Sequence, residues 1–334
     1  MTEVLHLASE ETTGLAGTAD FVSAVRAAYR QRGQGAPAEP RTALRNETPP
    51  GLFTTYAAIL PETGVMGGYV YSAGFEAEDA WFVAPLFDAE TGGLLALVDG
   101  AAMNPEKTGA TGAVGVDALA REDASTVAVI GSGVQARAQL RATATVRDLT
   151  GVRVFSPTPA HRQAFAESMA AALDCPVEAV SSAEAAIDGA DVVITATKAS
   201  DPVFDGSQLD PGTHVTAMGQ YDPERFELDA TTVERAVYVP DLEARVTRDA
   251  GSFLNAVRVG AVDESHVHAE LGAVIAGEAP GRERADQITV FDSGGTGIET
   301  TAGANLVYER AREAGRGTAI DFTPASAAFG SPDQ

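Results

Sequence analysis

Cysteine is nearly absent from this chain of 334 residues, in which Cys175 stands alone. A single cysteine excludes a disulfide framework within the chain and a zinc site built on several cysteines. Long apolar runs are missing as well, since none approaches the ~20 residues that a membrane-spanning helix needs. The N-terminal residues lack the basic and apolar segments of a signal peptide. From these absences we expect a cytoplasmic protein that has no membrane partner.

Lysine is the second scarce residue. Only Lys107 and Lys198 occur among 23 basic residues, and 47 acidic residues bring the formal net charge to −24. Such an excess of carboxylates repels nucleic acid and anionic membranes, so we expect neither as a partner. It also favours solubility in a salt-rich cytoplasm, as in halophiles, and predicts loss of structure in dilute buffer, where the charges are unscreened.

Two common kinds of catalytic motif are missing too. His214, His266 and His268 are not accompanied by carboxylates or cysteines at ligand spacing, so we expect no metal site. No Gly-x-Ser-x-Gly elbow indicates a serine hydrolase.

The pattern of apolar residues divides the chain into two parts. Short apolar segments from Leu52 to Asp99, separated by Gly, Pro, Asp and Glu, predict a small and mostly antiparallel sheet. We expect Arg41 and Arg45 to lie in an extended loop before it. From residue 126 to about 290, strand and helix patterns alternate, which predicts a parallel sheet with crossover helices.

The predicted fold class is therefore α/β. We expect a Rossmann-type doubly wound parallel sheet over residues 116–295 and a second, discontinuous α+β domain formed by residues 1–115 and 296–334. At 45% hydrophobic residues, the chain is long and apolar enough to build both cores.

A glycine-rich turn follows the first strand of the alternating part. The apolar run of residues 127–130 leads into GSGVQA and then into a sequence of helical character. In a dinucleotide-binding fold, the first glycine permits the turn and the second lets the pyrophosphate approach the helix N-terminus. The expected cofactor-binding residues of this turn are Gly131, Ser132, Gly133, Val134 and Gln135.

The end of the next strand bears on the choice of cofactor. An acidic residue about 20 positions after the glycine motif selects NAD by binding the ribose 2′-hydroxyl. This chain has Ser156, Thr158 and Arg162 there instead, which favours NADP slightly, although the same residues could form a turn without ligand contact. Thr197, Met218 and Gly219 follow later parallel strands, where ligands of open α/β sheets bind.

Several longer segments resemble the ornithine cyclodeaminase/mu-crystallin family, which includes archaeal-type alanine dehydrogenases and imine reductases. They are LFDAETGGLLALVDG (86–100), EKTGATGAVGVDALARED (106–123), VAVIGSGVQARAQL (127–140) and VFDSGGTGIET (290–300). The resemblance implies a Rossmann domain that binds the nicotinamide and a split domain that dimerises and covers the substrate. It also implies interconversion of an amine and an imine, to which the cyclodeaminases add ring closure and loss of ammonia.

The chain departs from the family pattern at four positions that carry chemistry. Tyr69 stands where the family has a lysine, and Lys107 stands where it has an arginine. Tyr221 stands in place of an aspartate, and the next residue of this chain is Asp222. Thr300 stands in place of a later aspartate. A lysine keeps the charge of an arginine and loses its bidentate fork.

The resemblance nevertheless implies a set of site residues. Lys107, Tyr69, Asp222 and Tyr221 are the candidate catalytic residues. The candidate substrate-binding residues are Arg41, Lys107 and Ser293, and Arg45 is the alternative to Arg41. A further candidate for cofactor binding is Thr108.

Two hypotheses of function follow. The first is an NAD(P)-dependent oxidoreductase acting on a small amino or imino acid as an alanine dehydrogenase, an imine reductase or a cyclodeaminase-like enzyme. The resemblance implies that it is a homodimer. The second is a catalytically divergent, crystallin-like protein that binds NAD(P) and acts as a ligand-binding or sensory protein. An intact glycine motif agrees with both hypotheses, whereas the replaced catalytic positions favour the second.

Overall fold

A computed structural model describes residues 2–77 and 79–328 of the chain. The strands are β1 (Thr2–Leu7), β2 (Thr42–Glu47), β3 (Pro50–Leu60), β4 (Val65–Gly74), β5 (Asp79–Asp88), β6 (Leu94–Asp99), β7 (Thr126–Ile130), β8 (Gly151–Phe155), β9 (Val177–Ala179), β10 (Val192–Thr195), β11 (His214–Ala217), β12 (Ala236–Pro240), β13 (Ile288–Asp292) and β14 (Thr318–Phe322). The helices are α1 (Ser9–Thr12), α2 (Thr18–Gly33), α3 (Met103–Leu119), α4 (Val134–Thr143), α5 (Pro159–Ala172), α6 (Ala183–Ile187), α7 (Ala230–Arg235), α8 (Glu243–Asp249), α9 (Gly251–Arg258), α10 (Leu271–Ala276), α11 (Gly297–Ala314) and α12 (Ala325–Ala328).

The first sheet contains both ends of the described chain. Its strand order is β14-β1-β6-β5-β4-β3-β2, and every pair is antiparallel except β1 with β6. Helices α2 and α11 cover one face, where alternate residues of β3 are buried. Because β14 pairs with β1, the first domain is discontinuous in sequence.

The opposite face of this sheet is open and partly apolar. Its exposed large side chains include Phe53, Ile59, Val70 and Val83, and Trp81 is 70% exposed. A soluble monomer rarely exposes a large contiguous apolar patch, so this face has the character of a contact surface.

The second sheet is entirely parallel, with the order β9-β8-β7-β10-β11-β13-β12. Val127 and Val129 of β7 belong to one apolar cluster, whereas Ala128 and Ile130 belong to another on the opposite face. Burial on both faces is what a continuous apolar run predicts for a central parallel strand. The predicted Rossmann-type fold is therefore confirmed.

The two sheets are connected closely. Helix α3 packs against α2 and α11 of the first domain and against α4 and β13 of the second. The predicted domain boundary between residues 115 and 116 falls inside this helix. Among the helices of the described residues, none is long and apolar enough to span a membrane.

One local prediction of structure is wrong. The segment expected as a loop around Arg41 and Arg45 contains strand β2, which pairs with β3 in a regular antiparallel register. All six residues of β2 are exposed, so the segment lacks the apolar alternation that would identify a strand. Arg41 immediately precedes this strand and is buried, whereas Arg45 lies on the strand itself.

Candidate active site

A cleft of about 1030 Å³ lies where the two domains meet. The parallel sheet contributes the loops that follow its strands, because the carboxyl ends of parallel strands share one edge. The first domain contributes Arg41, Tyr56, Tyr71 and, from α3, Lys107. The predicted site residues that line the cleft are Arg41, Lys107, Thr108, Gly131, Ser132, Gly133, Val134, Gln135, Ser156, Thr158, Thr197, Met218, Gly219, Tyr221 and Ser293.

The glycine turn has the geometry that a pyrophosphate requires. Gly131 has a φ of +120°, and a Cβ there would lie 2.4 Å from the carbonyl oxygen of Ala196. A Cβ on Gly133 would meet nothing within 4 Å, so this backbone faces open space. Gly133 caps α4 without a side chain, which leaves the first N–H groups of the helix available to an anion.

The region beyond the turn carries hydroxyl groups and the cation of Arg137. Ser132 Oγ donates to Ser156 Oγ at 3.0 Å, and both line the cleft with His161 and Arg137. Arg137 stacks over the ring of Phe165, and burial together with the charge of Arg141 lowers its pKa. No carboxylate of the described residues lies within ion-pair distance of Arg137. Arg137 is not among the residues predicted from sequence, although its position on the helix after GSGVQA could have indicated it.

A buried carboxylate fixes two of the loops. Glu227 accepts hydrogen bonds from the backbone N–H groups of Thr197 at 2.7 Å and Gly219 at 2.8 Å, and from Thr195 Oγ1 at 3.0 Å. A Cβ on Gly219 would lie 2.4 Å from Glu227 Oε1, so only glycine fits against this carboxylate. Burial raises the pKa of Glu227. Glu227 is also not predicted from sequence, because it belongs to no recognisable motif.

Lys107 is buried at the inner end of the cleft. Its Nζ lies 3.3 Å from Glu299 Oε1, and burial is the largest cause of its lowered pKa. Glu299 is fixed in turn, because it closes the capping box of α11 with Thr296 and accepts a hydrogen bond from Tyr29 at 3.3 Å. Lys107 has three N–H groups, so it keeps donors for a ligand.

Arg41 is the second buried cation. Its Nη1 donates to Tyr71 at 3.3 Å, and its Nη2 donates to the carbonyl oxygens of Gly294 and Gly295. Its guanidinium lies 4.2 Å from the ring centre of Tyr221. Tyr56, Tyr71 and Phe82 extend this aromatic wall into the cleft.

Both cations converge on Gly295. A Cβ on this glycine would lie 3.7 Å from Arg41 Nη2, 3.7 Å from Lys107 Nζ and 3.6 Å from Oε1 of Glu299, the partner of Lys107. Because φ is +86°, other residues are also strained at this position. The glycine thus lies beside both cations, and their remaining N–H groups, on Arg41 Nη1 and Lys107 Nζ, suit a carboxylate.

Three predicted site residues do not line the cleft. Tyr69 is buried beneath it, where its hydroxyl donates to the carbonyl oxygen of Gly100 at 3.0 Å. Asp222 points to the exposed Arg45, whose Nη2 lies 3.0 Å from it. Arg162 donates to the carbonyl oxygen of Ser156 at 2.9 Å and does not enter the space.

No acidic side chain lines the cleft within the described parts of the chain. In the same residues, no three histidine, cysteine or acidic side chains are gathered as a metal ion would require. At the inner end of the cleft, the groups available for chemistry are the cations of Lys107 and Arg41, tyrosine hydroxyls and backbone groups.

Comparison with known proteins gives one consistent result. A sequence profile of the ornithine cyclodeaminase/mu-crystallin family matches residues 4–315. A Delta(1)-pyrroline-2-carboxylate reductase of Bacillus cereus is 36% identical over 242 residues, which is 72% of this chain and 74% of that protein.

Two solved structures have the same fold throughout. The Thermococcus litoralis Delta(1)-pyrroline-2-carboxylate reductase in complex with NADH and L-proline superposes with a TM-score of 0.90 at 32% identity, over 95% of this chain and 100% of that one. An archaeal alanine dehydrogenase dimer with bound NAD also gives a TM-score of 0.90, at 29% identity over 96% and 100% of the two chains.

Proposed function

Because this chain belongs to the ornithine cyclodeaminase/mu-crystallin family, we propose that it is an NAD(P)-dependent oxidoreductase that reduces a cyclic imine bearing a carboxylate on the imine carbon. The product is the corresponding cyclic amino acid. The observation that carries this proposal is the convergence of Lys107 and Arg41 on Gly295, beside an aromatic wall and opposite the glycine turn.

The residues of the second domain fit a dinucleotide. The open backbone over Gly133 and the uncapped N-terminus of α4 suit the pyrophosphate, and the loops held by Glu227 suit the nicotinamide end. When bound, the nicotinamide supplies the hydride that the reduction needs.

We favour NADP over NAD for a local electrostatic reason. The end of β8 is surrounded by Ser132, Ser156 and His161. Arg137 adds a positive charge that no described carboxylate pairs with, and no described acidic residue lines the cleft there. A 2′-phosphate carries negative charge that these groups would stabilise. Replacing Arg137 with glutamine is expected to weaken NADPH binding about tenfold and to leave NADH binding unchanged. Arg141→Gln, one turn further along α4 and outside the cleft, is the matched control, and equal losses for both cofactors would contradict the assignment.

The charges of the cleft favour a cyclic imine over a diamino acid. Arg41 and Lys107 can bind one carboxylate, and the neighbouring wall of the cleft is formed by Tyr56, Tyr71 and Phe82. Ornithine or lysine would bring a distal ammonium into a space that no described acidic residue lines, so its desolvation would not be offset. An apolar ring has no charge to desolvate there, and it gains contact with the aromatic side chains.

Lys107 is the group best placed to give the proton that the imine nitrogen needs. Its lowered pKa makes the ammonium a stronger acid than that of an exposed lysine, and Glu299 restricts its position. In the overall reaction, the C=N double bond becomes a C–N single bond, the carbon gains a hydride and the nitrogen gains a proton. Arg41 holds the carboxylate, and Tyr221 stacks on the guanidinium from the solvent side.

The test is a substrate panel at high salt, with oxidation or reduction of the cofactor as the readout. We expect Delta(1)-pyrroline-2-carboxylate and its six-membered homologue to be reduced with a kcat/KM at least about tenfold above that of pyruvate with ammonia. Release of ammonia from ornithine would instead support a cyclodeaminase. Tight NADPH binding without turnover of any compound would support the crystallin-like, non-catalytic alternative.

We also propose that the open face of the first sheet forms a homodimer. Dimerisation would bury the exposed apolar side chains of this face, as expected of a homodimer interface. They include Phe53, Val70, Trp81 and Val83. Light scattering at high salt should give twice the chain mass for the wild-type protein and the chain mass for Trp81→Asp. Val259→Asp changes another strongly exposed apolar residue, in the second domain, and serves as the control. A wild-type monomer would contradict the proposal.

A further inference from the structure

We propose that Asp249 is a positioning residue that holds Arg41 in the orientation required to bind the substrate carboxylate. The inference rests on the proposed function, because it assigns that carboxylate to Arg41. Asp249 ends helix α8 in the second domain, whereas Arg41 precedes β2 in the first. The contact therefore crosses the boundary between the domains.

Among the described residues, Asp249 is the carboxylate within ion-pair distance of Arg41. Arg41 Nε lies 3.3 Å from Asp249 Oδ2, and both side chains are buried. Neither atom has a hydrogen-bond partner within the described structure. A buried charge without a partner is costly, so each atom stabilises the other by attraction although the angles are not those of a hydrogen bond.

A second arginine fixes Asp249 itself. The Nη1 of Arg245 donates to Asp249 Oδ1 at 2.8 Å, and its Nε donates to Asp241 at 2.7 Å. Asp292 accepts from the remaining nitrogen of Arg245, which is only 1% exposed. Three carboxylates thus surround one guanidinium, and Asp249 turns its other oxygen, Oδ2, towards Arg41.

The same network fixes the loop that Arg41 contacts. Asp241 Oδ2 accepts hydrogen bonds from Ser293 Oγ at 2.8 Å and from the backbone N–H groups of Gly294 at 3.0 Å and Gly295 at 3.2 Å. The carbonyl oxygens of those two glycines accept from Arg41. Arg41 is therefore held at one end by a carboxylate and at the other by a loop, both of which depend on Arg245.

The arrangement leaves Arg41 little freedom. Four of its five N–H groups face Asp249, Tyr71 and the two glycine carbonyls, so one N–H on Nη1 remains for a ligand. A small rotation of the guanidinium would misdirect that donor. An asparagine at position 249 would remove the attraction and could present an amide N–H to Arg41, which would favour such a rotation.

The test compares Asp249→Asn and Asp249→Glu with the wild-type protein. We expect Asp249→Asn to raise KM for Delta(1)-pyrroline-2-carboxylate about 10- to 100-fold, with kcat changed less than about threefold and NADPH affinity unchanged. Asp249→Glu keeps the charge and should recover part of the loss. The uncarboxylated imine 1-pyrroline should be reduced equally well by all three proteins, because its binding does not involve Arg41.

Asp191→Asn is the control, since Asp191 is a partly buried carboxylate that is also paired with an arginine, but at the opposite end of the parallel sheet. It should lower thermal stability without changing KM. An Asp249→Asn protein with an unchanged or lowered KM, or with equal losses for both imines, would overturn the inference.

A binding measurement separates this inference from the proposed function. Calorimetry with pyrrole-2-carboxylate measures how tightly Arg41 binds a carboxylate in the absence of turnover, because this planar compound cannot be reduced by the same route. If the wild-type protein binds it and Asp249→Asn binds it at least tenfold more weakly, the role of Asp249 holds even if no imine is reduced. Equal binding by both proteins, or binding by neither, would overturn the role of Asp249.

Discussion

Among single side chains, Lys107 is required to do two things that usually need two groups. It supplies positive charge beside Arg41, and its lowered pKa allows it to give up a proton. Glu299 compensates the charge within the protein, but leaves two N–H groups of Lys107 for other partners.

Substitution of Lys107 separates these two properties. Arginine keeps the charge but does not release a proton at ordinary pH, so we expect Lys107→Arg to keep KM within about threefold and to lower kcat about 100-fold or more. Lys107→Met should lose both, and should also be less stable because Glu299 is left buried without its cation. Steady-state kinetics measure kcat and KM of both variants, and thermal unfolding shows whether each variant is folded. An active Lys107→Arg protein with wild-type kcat would exclude Lys107 as the acid.

The pH dependence of the reaction follows from the direction of the same pKa shift. Because burial lowers the pKa of Lys107, the ammonium is lost at a lower pH than in an exposed lysine. We therefore expect kcat/KM to fall as the pH rises through this lowered pKa, and Lys107→Arg to lack that alkaline limb. A wild-type profile without an alkaline limb below the pKa of a free lysine would contradict this account.

The sequence predicts some of these side chains and misses others for a physical reason. Lys107 and Arg41 are found because each lies in a recognisable segment, and the cleft contains both. Tyr69 and Tyr71 point to the same side of β4, and only the structure shows that Tyr69 lies beneath Gly100 whereas Tyr71 reaches Arg41. Glu227 and Asp249 act through contacts distant in sequence, which no local pattern encodes.

Among secondary-structure elements, the strand-turn-helix unit around β7 and α4 offers a direct test, because its two glycines differ in surroundings. A methyl group on Gly131 would collide with Ala196 in a strained backbone, whereas a methyl group on Gly133 would collide only with a ligand. Gly131→Ala should therefore lower both the thermal stability and the affinity for NADPH. Gly133→Ala should unfold like the wild-type protein and bind NADPH at least about tenfold more weakly. Undiminished binding by Gly133→Ala would show that the pyrophosphate lies elsewhere.

Strand β11 begins with a histidine that is buried in neutral form. His214 is hydrogen-bonded to Thr289 and Thr216, and burial lowers its pKa to about 3. The folded state therefore binds a proton less tightly than an unfolded chain, in which the pKa of histidine is about 6.5. The contribution of His214 to stability is complete above pH 6.5 and is lost as the pH falls towards 3, by up to about 1.4 kcal/mol per pH unit.

This dependence is measurable by denaturant unfolding between pH 5 and 6.5 at constant high salt. The His214→Asn protein should lack the slope that this histidine gives the wild-type protein, whereas His268→Asn, which changes an exposed histidine, should retain it. Identical slopes for wild type and His214→Asn would mean that His214 is charged in the folded protein or neutral in both states.

The sequence predicts those strands and helices whose apolar residues follow a clear pattern. The strands of the parallel sheet are buried on both faces and read as apolar runs, so their alternation with helices is predicted from sequence and confirmed. Strand β2 and strand β14 are almost wholly exposed and lie at the two edges of the first sheet. Edge strands gain their structure from pairing rather than from an apolar face, so periodicity does not reveal them.

For the protein as a whole, the net charge of −24 should govern stability. The Debye length falls from ~10 Å at 0.1 M salt to ~3 Å at 1 M, so repulsion among the surface carboxylates decreases steeply over this range. We expect Tm to rise by at least about 10 °C between 0.1 M and 2 M NaCl. Sucrose, which is excluded from protein surfaces but screens no charge, serves as the control. A Tm that is equal at both salt concentrations would contradict adaptation to a salt-rich cytoplasm.

The site exists only in the assembled chain, because each domain supplies one half of it. The parallel sheet brings the cofactor-binding loops to one edge, and the first domain brings the two cations and the aromatic wall to face them. Composition and periodicity predict the two domains separately, but they do not predict how Gly295 is placed between Lys107 and Arg41. That placement is the basis of the proposed reaction.

The central claim is that a hydride is added to the carbon that bears the carboxylate. The most direct measurement uses NADPH labelled with deuterium at the transferable position, together with Delta(1)-pyrroline-2-carboxylate, and locates the label in the product by NMR. We predict one deuterium on Cα of proline, a single enantiomer, and a loss of labelled product in Lys107→Met. Proline without deuterium, or no proline with NADPH or NADH, would contradict the account.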